Sequence, residues 1–142
     1  MDFDDIKTYD EELANDGAWL TAERGGKVHL EAQCRFVDSL TQSGELEYKR
    51  AKGTVAKTHK GGKPLDDFDN AIVGLAYVNM RDWKGVTSKG KPVPFSPEAA
   101  RAFFAIERNR WMALQLLLKT QDVANFIGDL SDEFDVEEVT KN

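Results

Sequence analysis

The feature that most constrains the fold is a ten-residue stretch, 27–36, in which polar and apolar residues alternate. Its apolar positions are Val28, Leu30, Ala32, Cys34 and Phe36, and a polar residue precedes each of them. Because side chains alternate between the two faces of a strand, this period of two predicts a strand with one buried face and one solvated face.

A second strand is predicted just before this one, over 18–23, with Trp19 and Leu20 on opposite faces. Gly25 and Gly26 lie between the two segments and suit a tight turn, since glycine adopts positive φ at no steric cost. We therefore expect a β-hairpin over 18–36. A lone hairpin is only marginally stable in water, so helices should cover its apolar face.

Three segments predict those helices, at about 45–57, 66–83 and 96–127. The second has apolar residues at spacings of three and four and two aspartates at its start, which is typical of an amphipathic helix. The third opens with Ser96-Pro97-Glu98, which combines a capping hydroxyl, a proline suited to the first turn and a favourable negative charge. We expect a kink or turn within it at 107–110.

These elements predict an α+β fold in a single domain over 17–128, with the N-terminal β-hairpin packed on a mainly α-helical body. An acidic arm at 1–16 and an acidic tail at 129–142 flank this domain. Few apolar residues support structure in either segment, so both are expected to be flexible.

Composition narrows the function classes. The chain has 142 residues and a net charge of -6, which disfavours general nucleic-acid binding because phosphates attract a positive field. Its start is acidic and lacks the basic-then-apolar layout of a signal peptide. No apolar run approaches the ~20 residues that a membrane-spanning helix needs. Cys34 is the one cysteine, so no intrachain disulfide can form, and we expect it to be buried.

No motif for catalysis, cofactor binding or metal binding is found in the sequence. His29 and His59 lack a neighbouring Cys or His at metal-ligand spacing. The paired glycines read as turns rather than as phosphate-binding loops or a nucleophile elbow. We therefore predict a protein that is not an enzyme and that needs no cofactor or metal.

A basic segment interrupts the otherwise acidic chain. Its cations are Lys49, Arg50, Lys52, Lys57, Lys60 and Lys63. The simpler interpretation is a solvated face or a hinge. The alternative is a docking surface for an acidic partner or for the acidic tail of this chain.

Bulky apolar residues concentrate around a junction between the two longer predicted helices. There Trp83, followed by Gly85, precedes a short polar loop, and Phe95 precedes the next helix start. These rings either hold the two helices at a fixed angle or remain partly exposed as anchors for a partner, a role in which tryptophan is enriched. The candidate partner-binding residues are Trp83, Phe95, Phe103, Phe104, Trp111 and Leu118.

Three motifs in this order resemble a known family. They are Gly17-Ala18-Trp19-Leu20 before the alternating strand, Asp82-Trp83-Lys84-Gly85-Val86 after the 69–73 segment, and Pro94-Phe95-Ser96-Pro97-Glu98-Ala99-Ala100 before a long helix that ends at Asn125-Phe126. The chain is similar over 18–126 to the tail assembly chaperones of long-tailed bacteriophages.

The resemblance implies a non-enzymatic chaperone that binds the tape-measure protein, keeps its long apolar helix soluble and helps to recruit tail-tube subunits. Self-association is a further expectation, whereas nucleic-acid and membrane partners are not. Such a protein acts in the cytoplasm of the infected host cell and is absent from the mature virion. One alternative is a structural tail or neck component retained in the virion. The other is an acidic host-interaction protein that occupies a nucleic-acid-binding protein through charge mimicry.

Overall fold

A computed structural model describes residues 9–37, 42–57, 59, 61 and 63–128. The helices are α1 (Glu11–Asp16), α2 (Gln42–Ala56), α3 (Asp67–Val73), α4 (Pro97–Ala105) and α5 (Arg110–Thr120). A π-helical segment (Gly74–Asn79) extends α3, and two 3-10 turns (Glu107–Asn109 and Val123–Phe126) flank α5. The strands are β1 (Ala18–Arg24), β2 (Lys27–Cys34), β3 (Met80–Lys84), β4 (Thr87–Ser88) and β5 (Lys91–Pro92).

The main sheet is antiparallel, with strand order β1-β2-β3. Its inner face is apolar, because Leu20 pairs with Ala32 and Ala32 pairs with Trp83 across the three strands. All three side chains are buried. The fold is therefore α+β, and its helices cover one side of this sheet.

The core lies between the inner sheet face and the helices α4 and α5. Phe104, Leu116 and Phe126 are fully buried there and supply most of its bulk beside Leu30 and Leu75. Burying a large apolar side chain contributes about 1.5–3 kcal/mol relative to leaving it exposed. Packing of these few residues therefore decides whether the sheet and helices hold together.

Helix α5 also closes the outer edge of β1. Gln115 accepts a hydrogen bond from the backbone N–H of Glu23 and donates one to its carbonyl (2.9 Å). The Lys119 ammonium donates to the carbonyl of Thr21. An edge strand otherwise presents unpaired backbone groups, so these two side chains satisfy groups that would be open to another strand.

The predicted hairpin is confirmed, with β1 and β2 joined by a turn in which Gly25 and Gly26 have φ of 62° and 74°. The predicted two-stranded hairpin is part of a three-stranded sheet, because β3 pairs with the other edge of β2. Val28 was also placed on the buried face, but it is exposed. A register shift at Ala22/Glu23 rotates the end of the hairpin, which moves Val28 out of the core.

The predicted helix over 66–83 is wrong beyond residue 79. Its start is as expected, since Asp66 and Asp69 form a capping box across the first turn. The helix then widens into the π-helical segment, and Met80–Lys84 becomes strand β3. The open edge of β2 accounts for this: it offers backbone partners that a continued helix would leave unpaired, and Arg35 already donates to the carbonyl of Asn79 (2.8 Å). Gly85 therefore ends a strand, not a helix.

The predicted helix over 96–127 is divided where a kink was expected. Ser96 caps α4 by accepting from the N–H of Ala99 (3.0 Å), as predicted. The chain leaves α4 at Ile106, makes a 3-10 turn and enters α5, which ends at Thr120 rather than at residue 127. The predicted helix over 45–57 is present as α2, which begins three residues earlier.

The N-terminal arm is not loose over its described part, 9–16. The carboxylate of Asp10 caps α1 by accepting from the N–H of Leu13 (3.1 Å), and the N–H of Asp10 donates to the carbonyl of Phe126 (2.8 Å). Tyr9 packs edge-on against Phe36, which stacks on Phe126 at 4.9 Å. Residues 1–8 and the predicted acidic tail, 129–142, lie outside the described residues.

Candidate functional site: an apolar groove at the junction

The junction after β3 is a small hairpin rather than a polar loop. Gly85, with φ of 83°, turns the chain from β3 into β4, and β5 returns beside β4. The N–H of Val93 then donates to the carbonyl of Val86 (2.9 Å), which closes the base of the hairpin. This places two valines opposite the start of α4.

Trp83 joins this hairpin to α4. Its indole N–H donates to the carbonyl of Val93 (2.8 Å), and its ring meets Phe95 and Phe103 edge-on at 5.6 Å and 5.8 Å. Phe103 in turn lies edge-on to Phe104 at 5.4 Å. Edge-to-face aromatic pairs of this kind add about 0.5–1.5 kcal/mol each beyond burial. The cluster therefore fixes the position of the hairpin against the helix.

An apolar groove of about 530 Å³ runs between the hairpin and α4. Its apolar lining consists of Trp83, Val86, Val93, Ala99, Ala102, Phe103 and Ile106. Ile106 is 43% exposed, although it is a large aliphatic side chain. Two cations, Lys89 and Arg108, lie among the remaining lining residues. A cleft of this size with an apolar floor and a few polar groups is typical of a binding site.

The structure separates the six candidate partner-binding residues into three groups. Trp83 (6% exposed) and Phe104 (0%) belong to the core, so we withdraw them as partner contacts. Strand β3 pairs with β2 and thereby places Trp83 on the buried face of the sheet. Phe95 and Phe103 are partly buried beside Trp83, and Phe103 lines the groove.

The remaining two candidates lie on α5. Trp111 is held between the guanidinium of Arg24, 4.4 Å from its ring, and the ring of His29 at 5.3 Å. Leu118 is 70% exposed, and Leu114, one helical turn earlier, is 51% exposed. These two leucines form a second apolar surface, which we call the α5 leucine pair.

Several site residues escaped the sequence reasoning. Val86, Val93 and Ile106 line the groove, and Leu114 completes the α5 leucine pair. None of them is aromatic, whereas five of the six candidate partner-binding residues predicted from the sequence are aromatic. The sequence contains one indication for Val93, which lies between two prolines. A residue before proline favours an extended backbone, so the chain stays extended at Val93 just before α4.

The basic segment is solvated where the structure describes it. Lys49, Arg50, Lys52, Lys57 and Lys63 are exposed, and Lys60 lies outside the described residues. This agrees with a solvated helix face, and docking of an acidic partner there stays a prediction.

Cys34 is fully buried, as expected. Burial raises the pKa of its thiol to about 12, which leaves almost no thiolate near neutral pH. We expect the folded protein to resist iodoacetamide at pH 8 and to react promptly in denaturant, which mass spectrometry would follow. An unfolded thiol ionises near pH 9, so raising the pH from 9 towards 12 favours unfolding through this residue. Rapid labelling without denaturant would contradict the burial.

Within the described ranges, His, Cys, Asp and Glu side chains do not gather in groups of three that could hold a metal ion. In the same ranges, no helix is both long and apolar enough to cross a membrane. No family model, curated protein or solved structure matches the chain.

Proposed function

We propose that the protein is a non-enzymatic tail assembly chaperone of a long-tailed bacteriophage that binds the tape-measure protein and helps to recruit tail-tube subunits. The apolar groove at the junction carries this proposal. It provides a concave surface of the kind that receives the apolar face of an amphipathic helix. A tape-measure protein, as a long apolar helix, is a partner of that class.

The motifs behind the family resemblance support the choice of partner. The Asp82–Val86 motif contributes Val86 to the groove lining, beside the mostly buried ring of the core residue Trp83, and the Pro94–Ala100 motif contributes Ala99. The two motifs thus supply facing walls of one cleft. A motif that only stabilised the core would have no reason to line a cleft open to solvent.

Charge and exposure fit the same role. A net charge of -6 helps a complex that carries apolar surface to stay soluble. The α5 leucine pair provides a second surface, which we assign to the tail-tube subunit or to a second copy of this chain. Chaperoning in this scheme consists of covering apolar helix surface and needs no chemical step.

The direct test is coexpression with a fragment of the tape-measure protein, followed by gel filtration. The two chains are expected to elute together in one peak. Separate elution under every condition of coexpression would refute the proposal. The chaperone should also be missing from purified particles, so detection of the chain in virions by mass spectrometry would favour a structural tail component instead.

A single substitution in the groove tests where the partner binds. Ile106→Glu should weaken binding of the tape-measure fragment by about 30-fold, since it places a charge in an apolar contact of hot-spot size. The exposure of Ile106 makes unfolding an unlikely cause, and a thermal melt checks this. Leu46→Glu is the matched control, because Leu46 is also an exposed aliphatic residue (55%, against 43% for Ile106) but lies on α2. Equal loss in both variants would place the contact elsewhere.

A further inference from the structure

A second cavity, of about 300 Å³, lies on the adjoining face of α4, shares Ala102 with the groove and is lined by several charged side chains. His59 and three helices contribute to it: α3, α4 and the start of α5. Its polar lining consists of His59, Asp69, Glu98, Arg101 and Arg110, and its apolar walls are Phe68, Ile72, Ala102 and Ala105.

His59 is the organising residue of this cavity. It is 4% exposed and hydrogen-bonded at both nitrogens, with Nε2 3.2 Å from Asp69 Oδ2 and Nδ1 2.8 Å from Arg101 Nη2. A guanidinium can only donate, so Nδ1 accepts and Nε2 carries the hydrogen that is donated to Asp69. The imidazole is therefore neutral, and it holds the Arg101 guanidinium in place without cancelling its charge.

The carboxylate of Asp69 is already engaged. Its Oδ2 accepts from His59 and also from the backbone N–H of Asp66 (3.2 Å) in the capping box of α3. Within the described residues, Asp69 makes no ion pair with Arg101 or Arg110. Glu98 lines the same cavity from the first turn of α4, but forms no ion pair with Arg101 within the described residues.

Arg110 supplies the second cation. Its guanidinium lies 4.7 Å from the centre of the Phe68 ring, which orients the group by a cation–π contact. Arg110 also has no carboxylate within ion-pair distance in the part of the chain that the structure describes. Two oriented guanidiniums thus border one cavity with hydrogen-bond donors to spare.

We propose that this cavity binds a carboxylate, the side chain of a glutamate in a peptide partner. Guanidinium and carboxylate groups match in shape and pair through two parallel hydrogen bonds. The apolar walls suit the methylene stem of glutamate. A dianionic phosphate fits less well, because Asp69 and Glu98 share the cavity and repel a second negative charge. The inference does not rest on the tail-assembly proposal.

The test is an NMR titration of the full chain with blocked glutamate, N-acetylglutamate methylamide, following backbone amides over 98–110 and the arginine Nε–H signals. Saturable shifts are expected with blocked glutamate and none with the blocked glutamine analogue. Arg110→Gln should weaken binding at least about tenfold, as loss of a charge-assisted hydrogen bond does. Arg81→Gln, which removes an exposed arginine on β3 outside the cavity, should leave binding unchanged.

Arg101→Gln should have the same effect as Arg110→Gln, but it also removes the partner of His59, so a melt must accompany it. The side chain of Arg110 makes no hydrogen bond within the described ranges and contacts Phe68 only through the cation–π interaction, so its variant decides the question. Equal shifts with glutamate and glutamine, or unchanged binding in Arg110→Gln, would overturn the proposal. Saturable binding of inorganic phosphate without binding of blocked glutamate would overturn the assignment to a carboxylate.

Discussion

Trp83→Ala is expected to lower the free energy of unfolding by ~3–5 kcal/mol, as truncation of a buried aromatic side chain does. The indole is 6% exposed, and its ring touches both Phe95 and Phe103. Its removal also takes away the hydrogen bond to the carbonyl of Val93, so the β4–β5 hairpin loses its attachment to α4. Urea unfolding followed by circular dichroism would measure the change.

Trp19→Ala is the matched control for this prediction. Trp19 is 40% exposed on the outer sheet face, where the ammonium of Lys84 lies 4.0 Å from its ring centre. An exposed cation–π contact contributes only about 0.5–1 kcal/mol, so this variant should lose far less stability. If Trp83→Ala melted within a degree of the parent protein, Trp83 could not occupy the core position described above.

Phe126→Ala is expected to lower the free energy of unfolding by a similar ~3–5 kcal/mol. The loss should affect the N-terminal helix as well as the C-terminal end of the domain. Phe126 is fully buried and stacks on Phe36, while its carbonyl accepts from the N–H of Asp10. The substitution should therefore loosen α1 as well as the core. Hydrogen exchange over 9–16 should accelerate more than exchange in β1 or β2.

Val123→Ala serves as its control, because Val123 lies in the same 3-10 turn but is largely solvent-exposed. A surface substitution of this kind usually changes stability by no more than about 0.5 kcal/mol. Unchanged exchange over 9–16 in Phe126→Ala would show that α1 is held by other contacts.

The parts of the fold that were predictable are those fixed by local chemistry. The alternation over 27–36 specifies a strand, and the side chains of Asp66 and Ser96 specify helix starts, because each acts within a few residues of itself. Strand β3 was not predictable in this way. Its sequence has helical spacing, and only the open edge of β2, far away in the chain, converts it to a strand.

The candidate site was likewise predictable only where local chemistry determines the structure. The junction was located from Trp83 and Phe95, but the direction of Trp83 depends on β3, so a core residue was taken for a partner contact. The sequence predicts only that His59 is a poor metal ligand, and it does not indicate that His59 is buried. His59 is buried between Asp69 and Arg101, which lie 10 and 42 positions further along the chain. No local sequence pattern predicts these contacts. Both discrepancies come from contacts between elements rather than from misjudged propensity.

The attachment of Gln115 and Lys119 to β1 limits how copies of this protein can meet. A strand from another chain would have to displace the side chains of Gln115 and Lys119 from the backbone groups of Glu23 and Thr21. Extension of the sheet by backbone pairing is therefore obstructed at this edge. Among the described strands none pairs with the outer edge of β3, so the two edges of the main sheet differ in how open they are to backbone pairing.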